Sequence, residues 1–212
     1  MMKTVMTGII RGLTGLSMIG MKKSVHIVRY QPNRHLGGML NDGNGGKGKK
    51  TLAISKSGAF CKILGLEQSE ILETTFPEVD MLQLPYADDA FDYVVSEYVI
   101  EHVAGDVQRA VQECRRVLKP GGIVVHLTNF LYPIHGAPYD YWRFTPYALQ
   151  LLHKDFSEII ESGGWGNPYV LLLRVLDLFY TPVPECRFHP LHWIARRNDS
   201  DFPLVTWIIA KK

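Results

Sequence analysis

The chain has 212 residues, a formal net charge of +2 and 46% hydrophobic residues, which excludes a disordered chain, a collagen and a coiled coil. This length supports one ordinary domain with its own core, and the near-neutral charge gives no indication of a nucleic-acid partner. No uncharged apolar run reaches the roughly 20 residues of a membrane span. Three scattered cysteines cannot make a disulfide framework, which predicts a protein of a reducing compartment, the cytoplasm.

The first 45 residues differ in composition from the rest of the chain. Acidic residues are missing before Asp42, while lysine and arginine recur through the same stretch. Such a start is typical of a segment that packs on the main domain, and also of a mitochondrial targeting peptide or a helix on a membrane surface. Residues 41–50 are rich in turn-forming glycine and asparagine. We therefore predict a basic extension and linker over residues 1–45 and the main domain over residues 46–212.

Short apolar runs alternate with helical patterns after this linker. Five runs predict buried strands, at residues 51–55, 70–75, 93–96, 123–128 and 204–210. A helix is predicted from Asp106 to Lys119, with the Asp106 carboxylate accepting N–H groups of its first turn. Another begins at Thr145, with Pro146 at its first position. Strands separated by helices need crossover connections, which predicts an α/β fold of three layers with a doubly wound, mainly parallel sheet.

Residues that directly follow the strands are the candidates for a binding site, because open parallel sheets bind ligands outside the carboxyl ends of their strands. Ser55, Ser57 and Gly58 follow the first strand, in a turn of small residues whose backbone N–H groups can approach a ligand closely. Glu73 ends the second strand and could accept hydrogen bonds from a ribose. An ordinary strand-to-helix connection and a solvated carboxylate are the alternatives.

Four motifs follow in a fixed order. They are D-x-x-x-L-P-Y from Asp80, D-x-x-F-D-x-V from Asp88, I-E-H-V from Ile100 and R-V-L-K-P-G-G from Arg116. In this order and spacing, the series closely resembles class I S-adenosylmethionine-dependent methyltransferases of the small-molecule type 11 group. The resemblance covers about residues 51–128.

The resemblance implies a Rossmann-like sheet of seven strands with helices on both faces and an antiparallel strand near the C-terminus. It also implies methyl transfer from S-adenosyl-L-methionine to an oxygen or nitrogen atom of a small molecule. Asp80 would bind the adenine amino group, and Met81 and Leu82 would line the adenine ring. Glu73 would be the ribose-binding acid, and Ser96 would border the methionine end of the cofactor.

The first motif of the family is altered in this sequence. Ala53 stands where the family has an acidic residue, and Ser55 and Ser57 stand where it has glycines. Loss of the carboxylate removes a charge-assisted hydrogen bond to the cofactor ammonium, which is worth about 1.5–3 kcal/mol, or roughly tenfold to a hundredfold in affinity. The alternative to an enzyme is therefore a degenerate methyltransferase fold that serves as a binding or scaffold module.

Residues 129–146 follow the fourth strand and would cover the place of the transferred methyl group. They combine a histidine, a carboxylate, a guanidinium and several aromatic rings, which is typical of a ligand pocket. His135 and His102 are the candidate general bases, because an ordinary imidazole pKa near 6.5 suits that task. Asp140 and Arg143 could bind a charged substrate or could bind each other and lock the loop.

Two further patterns are interpreted as structural. Cys186, His189 and His192 have a spacing that could bind zinc, but no fourth ligand is near them in the sequence, so we expect no metal there or elsewhere. Residues 163–167 predict a tight turn with a buried Trp165 and not a phosphate loop, because they lack the lysine and hydroxyl residue of such loops.

Overall fold

The computed structural model describes residues 2–136 and 138–212, with residues 2–5 described as backbone alone. In chain order the helices are α1 (Met2–Ser17), α2 (Ile27–Leu36), α3 (Gly58–Ile63), α4 (Val107–Val117), α5 (Pro146–Leu152), α6 (Pro168–Val175) and α7 (Pro190–Arg196). The strands are β1 (Lys23–His26), β2 (Lys50–Ile54), β3 (Glu70–Glu73), β4 (Phe91–Glu97), β5 (Leu118–Asn129), β6 (Glu158–Trp165), β7 (Pro182–Pro184) and β8 (Val205–Lys211).

The chain divides into two compact units. One contains Leu36–Gly164 and Val205–Lys212, and the other contains the chain up to His35 together with Trp165–Leu204. These limits differ from the boundary predicted at residue 45. The physical reason lies in backbone hydrogen bonds that tie the predicted linker to the larger unit, since Leu40 donates to the Leu64 carbonyl and Gln68 donates to the Gly45 carbonyl.

The larger unit is built on a six-stranded sheet with the order β3-β2-β4-β5-β8-β6. The pairs β2–β3, β2–β4 and β4–β5 are parallel, and β5–β8 is antiparallel. These pairings confirm the doubly wound, mainly parallel sheet and the antiparallel strand near the C-terminus. The resemblance implied a sheet of seven strands, and this was wrong: among the described residues the sheet has six.

Helices of the larger unit begin where the capping residues predict. The Asp106 carboxylate accepts the Arg109 N–H at 3.1 Å at the start of α4, and the Thr145 hydroxyl accepts the Ala148 N–H at 3.1 Å at the start of α5. The apolar face of α4 is buried through five residues, Val107, Ala110, Val111, Cys114 and Val117. Contacts of α4 with β5, of α5 with β8 and of α3 with β2, β3 and β4 cover the sheet and close its core.

Residues 163–167 correct one prediction and confirm another. Gly163 and Gly164 belong to β6 and not to a tight turn. A Cβ atom at Gly163 would lie 3.1 Å from the Trp207 indole, so the glycine allows a large side chain of β8 to pack on β6. Trp165 is buried, as predicted.

The smaller unit contains α1, α2, α6 and α7 and a two-stranded antiparallel sheet of β1 and β7. Asn167 stabilises it by accepting the Val170 N–H at the start of α6 and by donating to the Ile194 and Arg197 carbonyls. An ion pair of 2.8 Å joins Arg11 of α1 to Asp177. Among the residues that the structure describes, no helix is both long enough and apolar enough to cross a membrane.

Two histidines are buried side by side in the larger unit. The rings of His126 and His153 lie 5.2 Å apart, and both Nε2 atoms are buried without a hydrogen-bond partner among the described residues. Burial lowers the pKa of His153 to about 4 and the pKa of His126 well below its ordinary value of 6.5. Both imidazoles are therefore neutral in the folded protein at neutral pH.

These histidines predict a loss of stability in acid. Between pH 6.5 and pH 4 the unfolded chain binds a proton at His153 that the folded chain does not bind, so the free energy of unfolding falls as the pH falls. The contribution of His153 is about 3 kcal/mol. Urea unfolding at several pH values should show a flatter profile for His153→Leu than for the native chain or for the exposed His35→Leu control. Parallel profiles for all three would contradict the prediction.

Candidate active site

A cavity of about 490 Å³ opens at the carboxyl ends of the parallel strands of the larger unit. Its wall combines segments that follow β2, β3, β4 and β5, and it is formed by Ile54, Ser55, Phe76, Val79, Asp80, Met81, Leu82, Tyr98, Val99, His102, Val103, Ala104, Pro138, Tyr139 and Tyr141. This is the position at which open parallel sheets bind their ligands. Its size lies in the range of pockets that enclose a small molecule.

Five of the predicted site residues lie in this wall: Ser55, Asp80, Met81, Leu82 and His102. The Asp80 carboxylate accepts the Leu82 N–H through Oδ1 at 2.8 Å, and its Oδ2 has no partner among the described residues. Asp80 is exposed, whereas Met81 is buried and Leu82 is half-buried. The segment therefore offers one free carboxylate oxygen beside two apolar side chains.

The turn after β2 has the backbone of a glycine-rich loop without its glycines. Ser55 and Lys56 have φ angles of 50° and 66°, in the left-handed region that favours glycine. Each such residue costs about 1–2 kcal/mol. Thr74 holds the turn, because its hydroxyl accepts the Ser55 N–H and its carbonyl accepts the Lys56 N–H.

Ser57, Gly58 and Glu73 lie next to this turn but are not part of the cavity wall. The Ser57 hydroxyl donates to the Ile54 carbonyl at 2.5 Å and accepts the Glu97 N–H at 2.9 Å, so it is occupied within the fold, which differs from the predicted ligand contact. The Gly58 N–H donates to Oε2 of Glu73 at 2.9 Å, and a Cβ atom at Gly58 would lie 2.0 Å from that oxygen. The glycine thus permits a close approach of Glu73 to the start of α3.

Ser96 also differs from its prediction. It is fully buried in β4, and its hydroxyl lies 2.6 Å from Nδ1 of His126 on the neighbouring strand β5. The Ser96 hydroxyl is therefore occupied within the sheet.

The predicted polar residues of the substrate face form one cluster, and His102 is its member in the cavity wall. The His102 ring lies 4.9 Å from the His135 ring, at an angle of 80°. Nδ1 of His102 lies 2.5 Å from the Tyr139 carbonyl oxygen. Two residues that are 33 positions apart therefore form a single histidine pair.

Asp140 holds His135, one member of this pair, in place. Its side chain is only 1% exposed, and it binds the Arg143 guanidinium through both oxygens at 2.5 and 2.6 Å. Its Oδ2 also accepts the His135 N–H at 2.8 Å and lies 3.0 Å from Nδ1 of His135. The hydrogen bonds from Arg143 hold the pKa of Asp140 well below its usual value. Of the two predicted roles for Asp140 and Arg143, the structure shows the mutual ion pair.

Glu101 is a residue of this cluster that sequence reasoning missed. It is fully buried, with Oε2 accepting the Thr128 hydroxyl at 2.9 Å and Oε1 accepting the Asn129 amide at 2.6 Å. Burial raises its pKa. Oxygen and nitrogen atoms of Glu101, His102 and His135 that could bind a cation lie within 4.8 Å of one another. The signal in the sequence was the position of Glu101 directly before His102.

His189 and His192, whose spacing in the sequence is like that of zinc ligands, have structural roles. His189 accepts the Leu191 N–H at the start of α7, and Nδ1 of His192 lies 2.9 Å from the Pro184 carbonyl oxygen. Both imidazoles therefore hold the smaller unit together.

The fold is that of a class I S-adenosylmethionine-dependent methyltransferase domain. Residues 42–126 match the type 11 family model, which is described as a methyltransferase domain. The four motifs that carried the resemblance fall within or beside it.

Curated relatives and a solved structure agree with this assignment. The chain is 31% identical to a ubiquinone biosynthesis O-methyltransferase of Alkalilimnicola ehrlichii, over 70% of this chain and 63% of the relative. It is 29% identical to a demethylmenaquinone methyltransferase of Bacillus subtilis, over 54% of this chain and 55% of the relative. The chain spans about half the length of several of its curated relatives, the demethylmenaquinone methyltransferases among them. The fold is similar to an S-adenosylmethionine-dependent methyltransferase of Mesorhizobium loti, with a TM-score of 0.52, 15% identity, 87% of this chain and 98% of that one.

Proposed function

We propose that this protein transfers a methyl group from S-adenosyl-L-methionine to an oxygen or nitrogen atom of a small molecule. One observation carries the proposal: Asp80 and the histidine of the I-E-H-V motif, His102, lie in the wall of the same cavity of about 490 Å³. A nucleoside end and a reacting end can therefore share one enclosed space.

The residues of the wall fit the cofactor at its adenine end. Asp80 offers a free carboxylate oxygen for the adenine amino group, with Met81 and Leu82 as the apolar surface for the ring. The left-handed turn at Ser55, which lies in the cavity wall, is proposed to support the methionine end. Gly58 and Glu73 bind each other outside the wall and are not proposed to contact the cofactor. When bound, S-adenosylmethionine supplies a methyl group on a positively charged sulfur. Neither Ser57 nor Ser96 is proposed to contact it, because both hydroxyls are held within the fold.

The acceptor is proposed to be an aromatic compound that bears a hydroxyl group. Four aromatic side chains stand in the cavity wall: Phe76, Tyr98, Tyr139 and Tyr141. Such a wall favours stacking or edge contacts with a flat ring. Two curated relatives are named a ubiquinone biosynthesis O-methyltransferase and a demethylmenaquinone methyltransferase.

The histidine pair is proposed to remove the acceptor proton. As the bond between the acceptor oxygen and the methyl carbon forms, the bond from that carbon to sulfur breaks and its electron pair stays on sulfur. A hydroxyl acceptor must lose its proton in the process, and an imidazole at the cavity can take it up. His135 is oriented for this by Asp140, and His102 by the Tyr139 carbonyl. Arg143 keeps Asp140 ionised and in place.

Calorimetric titration with S-adenosylmethionine and S-adenosylhomocysteine tests the cofactor assignment. Asp80→Ala is expected to weaken binding by roughly tenfold to a hundredfold, because a charge-assisted hydrogen bond is lost. The matched control is Glu67→Ala, which removes an exposed carboxylate of the same unit and should leave the affinity unchanged. Binding that is equal in both variants would contradict the role of Asp80.

A degenerate binding module is the second candidate function. It is favoured by Ala53 in place of the acid and by Ser55 and Lys56 in conformations that glycine adopts more easily. The same titration separates the two candidates, because a module that no longer uses the cofactor gives no heat with either ligand at high micromolar concentration.

We further propose that α1 binds an anionic membrane surface. Its residues Met6, Ile9, Leu13 and Leu16 lie on one side of the helix and are 54–63% exposed. The helix carries no acidic residue in its first turn, and the sequence has none before Asp42. An exposed apolar stripe on a basic helix is typical of segments that lie in the membrane interface.

Co-sedimentation with anionic liposomes tests this surface. Leu13→Glu should lower the bound fraction about tenfold, since it removes one large apolar side chain from the interface. Gly15→Glu makes the same change of charge outside the stripe, where a Cβ atom meets nothing within 4 Å, and should keep clearly more binding than Leu13→Glu. Equal losses in both variants would show that charge alone matters, and absence of binding by the native chain would contradict the proposal.

A further inference from the structure

The cluster of Glu101, His102 and His135 has features that proton transfer alone does not require. Its candidate ligand atoms lie within 4.8 Å of one another, Glu101 is fully buried, and His102 lies in the cavity wall. We propose that these three side chains bind one divalent cation of the zinc class at the edge of the cavity. The site itself rests on this geometry, and the cation's part in catalysis rests on the proposed function.

Both imidazoles are held as metal-binding histidines are held. Nδ1 of His102 lies 2.5 Å from the Tyr139 carbonyl oxygen, and Nδ1 of His135 lies 3.0 Å from Asp140 Oδ2. Carbonyl and carboxylate oxygens only accept, so each neutral ring carries its proton on Nδ1 and its lone pair on Nε2. Ligating histidines usually donate their other N–H to such an oxygen, which fixes the ring and raises its basicity.

The carboxylate of Glu101 is buried without a strong positive partner. Its two hydrogen-bond donors, Thr128 and Asn129, are neutral. The charge of Glu101 acts on the Arg143 guanidinium, but that guanidinium is bound through both nitrogens to Asp140. A buried carboxylate is costly unless a cation compensates it. Asn129 also has a buried Oδ1 without a partner among the described residues, which could accept from a water molecule on the cation.

Two imidazoles and one carboxylate define the class of ion. This ligand set suits zinc, whereas magnesium prefers oxygen ligands alone. Ligand atoms of a tetrahedral zinc site are about 3.4 Å apart, and the candidate atoms of this cluster lie within 4.8 Å of one another, so small side-chain shifts would bring them to that spacing. Three protein ligands leave one position open. An acceptor hydroxyl bound there would lose its proton more easily, and the two imidazoles would then serve as ligands and not as bases.

Cobalt titration of the full chain, produced without a histidine tag, tests the site. Co²⁺ reports its coordination by visible absorption, and we expect one Co²⁺ per chain, displaced by Zn²⁺ and not by excess Mg²⁺. His102→Gln and His135→Gln should each weaken Co²⁺ binding at least about 100-fold. His192→Gln is the matched control, because it removes a half-buried imidazole of the smaller unit and should leave the affinity unchanged. Circular dichroism shows whether each variant is folded.

The outcomes separate this inference from the proposed function. Absence of a cobalt spectrum at millimolar Co²⁺, or an unchanged spectrum in a folded double variant of His102 and His135, overturns the metal site. Calorimetry with S-adenosylhomocysteine on the same samples reports cofactor binding independently. Cofactor binding without cobalt binding overturns the metal site alone, and cobalt binding without cofactor binding supports the site and overturns the proposed enzyme.

Discussion

Asp140→Ala is expected to lower the free energy of unfolding by about 3 kcal/mol. The substitution leaves the Arg143 guanidinium, whose side chain is 24% exposed, without its bidentate partner, and it also removes the acceptor of the His135 N–H. Loss of one member of a buried ion pair costs about 3–5 kcal/mol, and the partial exposure of Arg143 places this pair at the low end. Urea unfolding at neutral pH measures the change.

Asp88→Ala is the matched control for Asp140. Asp88 also binds an arginine, Arg116, at 2.7 Å, but its side chain is 72% exposed. An exposed ion pair contributes about 0–1 kcal/mol, so this variant should be nearly as stable as the native chain. Equal losses in the two variants would mean that the Asp140 pair is solvated like a surface pair. The structural role assigned to it would then be wrong.

His135→Gln is expected to lower kcat for methyl transfer by about 100-fold or more, with an acceptor that the native chain methylates. The substitution removes a side chain that serves either as the general base or as a ligand of the cation. In both roles this side chain promotes loss of the acceptor proton. Affinity for S-adenosylhomocysteine should be unchanged, because the proposed cofactor contacts lie at Asp80 and at the turn after β2. His35→Gln is the control on an exposed histidine of the smaller unit. A kcat within about threefold of the native value would contradict a role in proton removal.

Local patterns predicted most elements of the fold. The five predicted strands and the capped starts of α4 and α5 depend on residues close in sequence, such as Asp106 and Thr145, and the structure confirms them. The glycines at residues 163–164 led to a wrong prediction of a turn, because the side chain that requires Gly163 is far away in the sequence. Gly163 leaves room for Trp207 on another strand, which no local pattern shows.

The candidate site was predictable where its residues are adjacent in the sequence and belong to one motif. Asp80, Met81 and Leu82 are neighbours in one motif, and all three reach the cavity wall. Glu101 was missed because its burial and its closeness to His135 arise only when the segment after β5 folds back on the I-E-H-V turn. The same folding brings Asp140 into contact with His135. The role of Asp140 in holding His135 could therefore not be derived from spacing alone.

The position of β8 has a consequence for how the protein is made. This strand follows every other strand in the chain but lies between β5 and β6. Until residues 205–211 have been synthesised, β5 and β6 each keep an open backbone edge, and such edges pair readily with other chains. Pairing across so long a sequence separation is slow. Nascent chains and C-terminally shortened fragments are therefore expected to depend on chaperones and to aggregate without them.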